Sequence, residues 1–185
     1  IVPRGIGTLG YAQYLPKEEY ITRSEQLLDR MCMTFGGRAA EEIFFNKIST
    51  GAQNDLDQIT KMAYSMVTVF GMNDNVGQVS FYGMQNDQFQ RPYSEETASM
   101  IDEEVRKLVL SQYERAKNLL LKYRGQLETL ANALLEREVI LKSDVEKLIG
   151  PRPFPEKKKS QNGQPEKQPH KGVEPTETQQ NPNLP

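Results

Sequence analysis

The sequence has little of the chemistry on which many catalytic sites depend. Its 185 residues contain one cysteine, one histidine and no tryptophan. A single cysteine, Cys32, excludes an internal disulfide and a zinc cluster held by cysteines. A single histidine, His170, excludes the histidine pair of an H-E-x-x-H zinc helix. Because His170 also lies in a proline-rich terminal segment, we expect no Ser-His-Asp or Cys-His catalytic site in this chain.

Long hydrophobic runs and a strong charge imbalance are also missing. No apolar run approaches the roughly 18 residues that a helix needs to cross a bilayer, and no signal peptide or Arg-rich targeting segment is recognisable. The formal net charge of -2 provides no electrostatic reason for binding nucleic acid, so none is expected as a partner. Since the sequence begins with Ile1 instead of Met, we expect it to be a piece of a longer product.

Prolines are concentrated in one terminal segment. Eight of the eleven lie at positions 151–185, where only Phe154, Val173 and Leu184 are clearly apolar. Such a segment buries too little apolar surface to offset the entropy lost when it becomes ordered. We therefore predict one domain over 1–150, followed by a disordered tail rich in proline, lysine and glutamine over 151–185.

Extended structure is predicted only at the start of the chain, where "TLGYAQYLP" indicates a strand that ends at Pro16. Beyond it, the apolar residues recur with helical spacing. The first helix should stop at Gly36 and Gly37, and a long one should break at Gly125. Further helices are predicted over 38–44, 52–70 and 95–123. The predicted fold is mainly α, a helical bundle with a small β element at the N-terminus.

Capping residues mark the predicted helix starts. Thr22 with Glu25, and Ser143 with Glu146, have the spacing of a capping box. Ser94 precedes the longest predicted helix and has the side chain of an N-cap.

Two carboxylates and one amide occupy the first turn of the helix predicted over 52–70. The apolar residues of that helix define a buried stripe: Leu56, Ile59, Ala63, Met66, Val67 and Phe70. At about 100° per residue, Asp55 lies roughly 65° from the centre of this stripe. Asp57 and Asn54 lie about 135° and about 165° away. Asp55 alone therefore points towards the packed side.

An inward-facing carboxylate requires a partner, because burying it unpaired is costly. The helix itself is one candidate, since its first N–H groups and its dipole favour a negative charge. A metal ion or an arginine is the other. The helical pattern leaves both interpretations open.

The other polar residues are interpreted as structural. Ser49 and Thr50 are predicted to cap the helix that follows them, because no base is available to activate either hydroxyl. Glu41 and Glu42 are predicted to lie on a solvated helix face. The same prediction applies to a second acidic group: Asp102, Glu103 and Glu104.

Three segments of the sequence, taken in their order along the chain, resemble a known family. They are "PRG…LGYAQYLP", "EQLLDRMCMTFGGRAAEEIFF" and "STGAQNDL…AYSMV…FGM", and "LIGPRPF" follows near the end of the domain. In this order they resemble the C-terminal part of the FtsH-family peptidase domain. The similarity is greatest to the mitochondrial m-AAA proteases, the group that includes paraplegin and the Afg3-like subunits. It covers about residues 1–154.

The resemblance implies a membrane-anchored, ATP-driven homo- or hetero-hexamer of the mitochondrial inner membrane, on its matrix side. Such proteases unfold and cut unfolded or membrane proteins. Their zinc is held by two histidines of an H-E-x-x-H helix and by a distant aspartate, and the glutamate of that helix activates water. The aspartate belongs to a T-G-A-x-x-D segment, which places the metal-ligand role on Asp55 here.

The resemblance also implies a substrate-binding edge strand near the active site. An extended substrate would add to this strand through backbone hydrogen bonds. The alternative is that the strand only packs the first sheet. The residues concerned are Thr8, Leu9, Gly10, Tyr11, Ala12 and Gln13.

The sequence lacks the H-E-x-x-H motif, the ATPase signatures and the membrane spans of the family. No catalytic residue is therefore assigned in this chain, and ATP would act only through a module outside it. Alone, the chain is expected to be inactive. It is either a fragment of an ATP-dependent zinc metalloendopeptidase or an inactive truncated or pseudogene product, which serves at most as a helical subunit-association module.

Overall fold

The computed structural model describes residues 21–83 and 92–151, together with the backbone of 2–3 and 10–11. The described part is mainly helical, which confirms the predicted fold class. Within these segments no helix is both long and apolar enough to span a bilayer. The predicted disordered tail lies outside the described residues, apart from Pro151.

The small β element consists of two antiparallel strands. Strand β1 is Val2–Pro3 and strand β2 is Gly10–Tyr11, with Val2 opposite Tyr11 and Pro3 opposite Gly10. The strand predicted around Gly10 is therefore confirmed where it is described. The rest of that prediction, at 8–9 and 12–16, lies outside the described residues.

Two helices follow each other with only Phe35 between them. Helix α1 is Ser24–Thr34 and helix α2 is Gly36–Phe45. Helix α1 stops at Thr34, two residues before the predicted stop at Gly36. The two glycines themselves lie in the first turn of α2, which begins two residues before the predicted span of 38–44. Phe35 keeps a right-handed helical backbone and buries its ring, so the chain resumes a helix at once.

A single 3₁₀ turn, Thr50–Ala52, leads into helix α3, Gln53–Thr68. This agrees with the predicted span of 52–70 to within two residues at each end. The predicted buried stripe holds for Ile59 and Val67 but fails for Phe70, which is 54% exposed. Phe70 lies beyond the last turn of α3, so helical periodicity no longer sets its direction.

Three more helices complete the fold: α4 (Glu95–Lys122), α5 (Arg124–Arg137) and α6 (Lys142–Ile149). Ser94 caps α4 as predicted, because its Oγ accepts a hydrogen bond from the Thr97 N–H at 3.2 Å. The predicted break at Gly125 occurs two residues earlier, at Tyr123.

Neither predicted capping box forms. At α1 the Arg23 N–H donates to Gln26 Oε1 at 2.7 Å, and at α6 the Leu141 N–H donates to Asp144 Oδ2 at 3.0 Å. These bonds are one half of a capping box, because the side chains of Arg23 and Leu141 have no acceptor for the other half. The hydroxyl motif placed the start of α1 one residue early and that of α6 two residues late.

The core lies where α4 crosses α1, α2 and α3. Each of these four helices buries its apolar stripe against the others, as expected for an amphipathic bundle. Phe35 and Tyr113 add an aromatic contact, with ring centroids 5.2 Å apart. The largest fully buried side chains are Met31, Ile59, Val67 and Ile101.

Replacing Ser94 by alanine is expected to lower the free energy of unfolding by about 1 kcal/mol, because the Thr97 N–H loses its partner. Urea unfolding followed by circular dichroism measures the change. Ser143→Ala is the matched control: Ser143 is exposed within the first turn of α6 and is not its cap. Its effect should stay within about 0.5 kcal/mol. Equal effects of the two substitutions would contradict the capping role of Ser94.

Candidate functional site

Asp55 lies in the first turn of α3 and is half-buried, whereas Asn54 and Asp57 are exposed. This confirms the orientation that the helical wheel predicted. Asp57 forms an ion pair with Lys61 one turn further on, with Nζ 2.7 Å from Oδ2. Asp57 is thus a solvent-side helix charge, and Asp55 is the carboxylate of this turn that faces the packed side.

Among the residues that the structure describes, the Asp55 carboxylate has no hydrogen-bond or ion-pair partner. Its position at the helix start gives it a favourable interaction with the helix dipole. With respect to the described residues, both oxygens therefore retain their capacity to bind a further group. The start of α3 presents this carboxylate on helical backbone.

The turn that leads into α3 is fastened to α2 through Ser49. Both oxygens of Glu41 accept from Ser49: Oε1 from the hydroxyl at 2.5 Å and Oε2 from the backbone N–H at 3.2 Å. Arg38 Nη1 donates to the Ser49 carbonyl at 2.7 Å. Ser49 Oγ in turn accepts from the Gly51 N–H at 3.2 Å, which confirms Ser49 as the predicted cap.

The prediction that Glu41 and Glu42 lie on a solvated face holds only in part: their side chains are 29% and 38% exposed, but both make hydrogen bonds to other elements. The hydrogen bond from the Ser49 hydroxyl, the larger cause, and that from its N–H hold the pKa of Glu41 below its usual value. Glu42 accepts from the Tyr113 hydroxyl and, at 2.9 Å, from Lys117 Nζ on α4. Its pKa is lowered by these two bonds, first by that of Tyr113. Burial, and then the bond to Glu42, raises the pKa of Tyr113 to about 12.

Glu104 was also predicted to be solvated and is in fact buried. It accepts from Asn73 Nδ2 at 2.8 Å and from Lys107 Nζ at 3.0 Å. Asn73 lies in the segment after α3, where its Oδ1 also accepts from two backbone N–H groups. Glu104 therefore anchors that segment to α4. The prediction holds for Glu103, which is exposed and pairs with Lys107 at 2.9 Å.

The hydrogen bonds of Glu104 should make the stability of the fold depend on pH. Hydrogen bonds from Asn73, the first cause, and from Lys107 lower the pKa of Glu104. The ionised group therefore stabilises the fold above the unfolded pKa of about 4.3. That contribution is lost as the pH falls through the lower folded pKa.

Thermal unfolding should show Glu104→Gln below wild type at neutral pH, with the difference in Tm closing as the medium becomes acidic. Glu103→Gln is the control and should stay near wild type throughout, since an exposed ion pair contributes little. A gap for Glu104→Gln that persists unchanged at low pH would contradict the role of the ionised carboxylate.

The edge-strand prediction can be compared with the structure only in part. The backbone of Gly10 and Tyr11 is paired with β1, while Thr8, Leu9, Ala12 and Gln13 lie outside the described residues. The substrate-binding role of this segment stays a prediction.

The described residues do not form a complete metal site. Nowhere in 21–83 or 92–151 do three His, Cys, Asp or Glu side chains converge as metal ligands. Asp55 fits as a single ligand, because a half-buried carboxylate is a regular zinc donor. The helical wheel predicted the inward direction of Asp55, and the family resemblance predicted its metal-ligand role. Arg38 and Glu41, which fasten the turn before it, had no such signal, because their partner Ser49 lies beyond the end of their own helix.

Comparison with known proteins decides the family. The model of peptidase family M41 matches residues 1–148. The chain belongs to peptidase family M41. This confirms that the chain is part of an FtsH-type peptidase domain, as predicted.

Curated M41 relatives come from bacteria and from mitochondria. The ATP-dependent zinc metalloprotease FtsH of Rhodothermus marinus is 55% identical over 159 residues, which are 83% of this chain and 23% of that protein. The mouse mitochondrial inner membrane m-AAA protease component AFG3L2 is 56% identical over 159 residues, 85% of this chain and 20% of that protein. The chain thus spans about a fifth of the length of these relatives. The similarity does not distinguish the m-AAA group from bacterial FtsH.

Proposed function

We propose that this chain is part of the peptidase domain of an ATP-dependent zinc metalloendopeptidase and contributes the carboxylate ligand of its zinc. The observation that carries the proposal is the half-buried Asp55, which has no partner among the described residues and stands on a fixed helix start. Membership of family M41, and relatives described as ATP-dependent zinc metalloproteases, support it.

A catalytic zinc commonly takes three protein ligands and keeps a fourth position for water, which it turns into a nucleophile near neutral pH. Asp55 would be one of the three. The remaining ligands and the general base would come from an H-E-x-x-H helix outside this sequence. ATP hydrolysis would likewise belong to a module outside it.

The partners and the compartment belong to the proposal as well. Substrates would be unfolded or membrane proteins, added in extended form along the edge strand that the sequence predicts at 8–13. The complete protein would act as a homo- or hetero-hexamer at a membrane. The mitochondrial inner membrane, on its matrix side, is supported by the mouse relative AFG3L2, whereas the bacterial FtsH matches at nearly the same identity.

Zinc content and casein degradation test this function. The isolated chain of 185 residues is expected to bind no stoichiometric zinc and to cleave nothing, because one carboxylate does not hold the ion. A version extended upstream to include the H-E-x-x-H helix should bind one zinc.

Stoichiometric zinc in the isolated chain, or casein cleavage by it, would show that the described residues suffice and would contradict the proposal. The alternative is an inert association module. It predicts the same behaviour of the isolated chain but no zinc in the extended protein, so the extended protein separates the two functions.

A further inference from the structure

We propose that Arg38, Glu41 and Ser49 are positioning residues for the metal centre: they fix the entry of α3 and thereby aim the Asp55 carboxylate. The inference rests on the proposed function, in which Asp55 is a zinc ligand. It concerns residues that make no contact with the metal themselves.

The connection from α2 to α3 is short. Helix α2 ends at Phe45, and its C-cap Asn46 has a left-handed backbone (φ 48°) and an N–H that bonds to the Glu42 carbonyl at 3.0 Å. Three residues later, Ser49 makes hydrogen bonds with its N–H, its carbonyl and its hydroxyl. All three partners belong to Arg38 and Glu41, on α2. The start of α3 is therefore tied directly to the side of α2.

Helical backbone joins Ser49 to Asp55 without a break. Ser49 Oγ holds the Gly51 N–H, the Gln53 N–H bonds to the Thr50 carbonyl, and the 3₁₀ turn continues directly into α3. Ala52 within that turn is buried. Because helical backbone is stiff over one turn, the orientation of Ser49 sets the direction of the Asp55 side chain.

Gly51 leaves room for this arrangement. A Cβ built at Gly51 would lie 3.3 Å from Ser49 Oγ, which is tight for a hydroxyl held by two hydrogen bonds. The turn thus combines a serine that is hydrogen-bonded to α2 with a glycine whose missing side chain lets the Ser49 hydroxyl approach its backbone. Metal ligands held by such outer contacts keep a productive geometry, and loss of those contacts typically weakens metal binding.

Two variant pairs separate positioning from general stability in the complete protease. Glu41→Gln is compared with Glu42→Gln, the adjacent glutamate, which bonds to Tyr113 and Lys117 on α4 instead. Ser49→Ala, which changes no charge, is compared with Ser49→Thr, which keeps the hydroxyl. The zinc dissociation constant is measured by chelator competition, and thermal unfolding is measured on the zinc-free protein.

Glu41→Gln and Ser49→Ala are expected to weaken zinc binding by about 10–100-fold, the range for lost outer contacts of a ligand. Ser49→Thr should restore most of the affinity. Glu42→Gln should lower the unfolding temperature and leave zinc affinity at the wild-type value. Should Ser49→Ala fail to fold, Glu41→Gln carries the same test. It removes the charge and replaces one of the two acceptor oxygens by an NH2 donor, so Ser49 can keep only one of its two bonds to this side chain, whose shape is unchanged.

Wild-type zinc affinity in Glu41→Gln and Ser49→Ala, together with a loss in Asp55→Asn, would overturn the positioning role alone. An equal loss of affinity in Glu42→Gln would also overturn it, because general destabilisation would then be the cause. Wild-type zinc affinity in Asp55→Asn would instead overturn the proposed function.

Discussion

In the complete protease, Asp55→Asn is expected to lower peptidase activity by more than about 100-fold, beyond the loss typical for an outer partner of a metal ligand. The neutral amide keeps the shape of the side chain but removes the charge that a zinc ligand supplies. ATP hydrolysis should continue at the wild-type rate, because the proposed ATPase module lies outside this domain. Casein degradation and phosphate release measure the two activities on the same preparation.

Asp57→Asn is the matched control, two residues further along α3. Asp57 is exposed and pairs with Lys61, so its loss costs only about 0.5 kcal/mol of stability, and peptidase activity should be unchanged. Full proteolysis by the Asp55→Asn variant would refute the ligand assignment. A loss of activity in both variants would point to the acidity of the helix start and not to one carboxylate.

Ile101→Ala is expected to lower the free energy of unfolding by about 2–5 kcal/mol. Ile101 is 1% exposed on α4, within the core that this helix shares with α1 and α3. Alanine removes three carbons and leaves a cavity that the surrounding helices fill only in part. Since small domains are stable by only about 5–15 kcal/mol, this single change removes a large share of the total. Urea denaturation of the chain gives the difference.

Leu110→Ala is the control, because Leu110 lies on the same helix but outside the core. Leu110 is 57% exposed, so truncating it should change stability by no more than about 0.5 kcal/mol. A loss of several kcal/mol at Leu110 would mean that a partner covers the outer face of α4 in solution. A small loss at Ile101 would contradict the close packing of α4 against α1 and α3.

Local sequence signals predicted much of the fold. The spans of α3 and α4, the Ser94 cap and the inward direction of Asp55 all follow from helical spacing and from capping chemistry within a few residues. These predictions were correct because the interactions that determine each feature lie within one or two turns of the same helix.

The predictions that failed concern polar side chains whose partners are distant in sequence. Glu42 accepts a hydrogen bond from Tyr113, and Glu104 accepts one from Asn73. The two partners are separated by 71 residues in the first case and by 31 in the second. A solvated face and a buried anchor have the same local pattern, so no helical wheel distinguishes them. Only the packing of α2 and α3 against α4 brings these partners together.

The sequence by itself determined the family, the helical class and which carboxylate of the α3 start faces inward, because these depend on residue order and helical period. It placed the metal-ligand role on Asp55 only through resemblance. The tertiary structure decided how that residue is held: Ser49 is fastened to Arg38 and Glu41 by the approach of α2 to the start of α3. Hydrogen bonds between separate elements depend on distances that residue order does not encode locally, and so they appear only once the helices have packed.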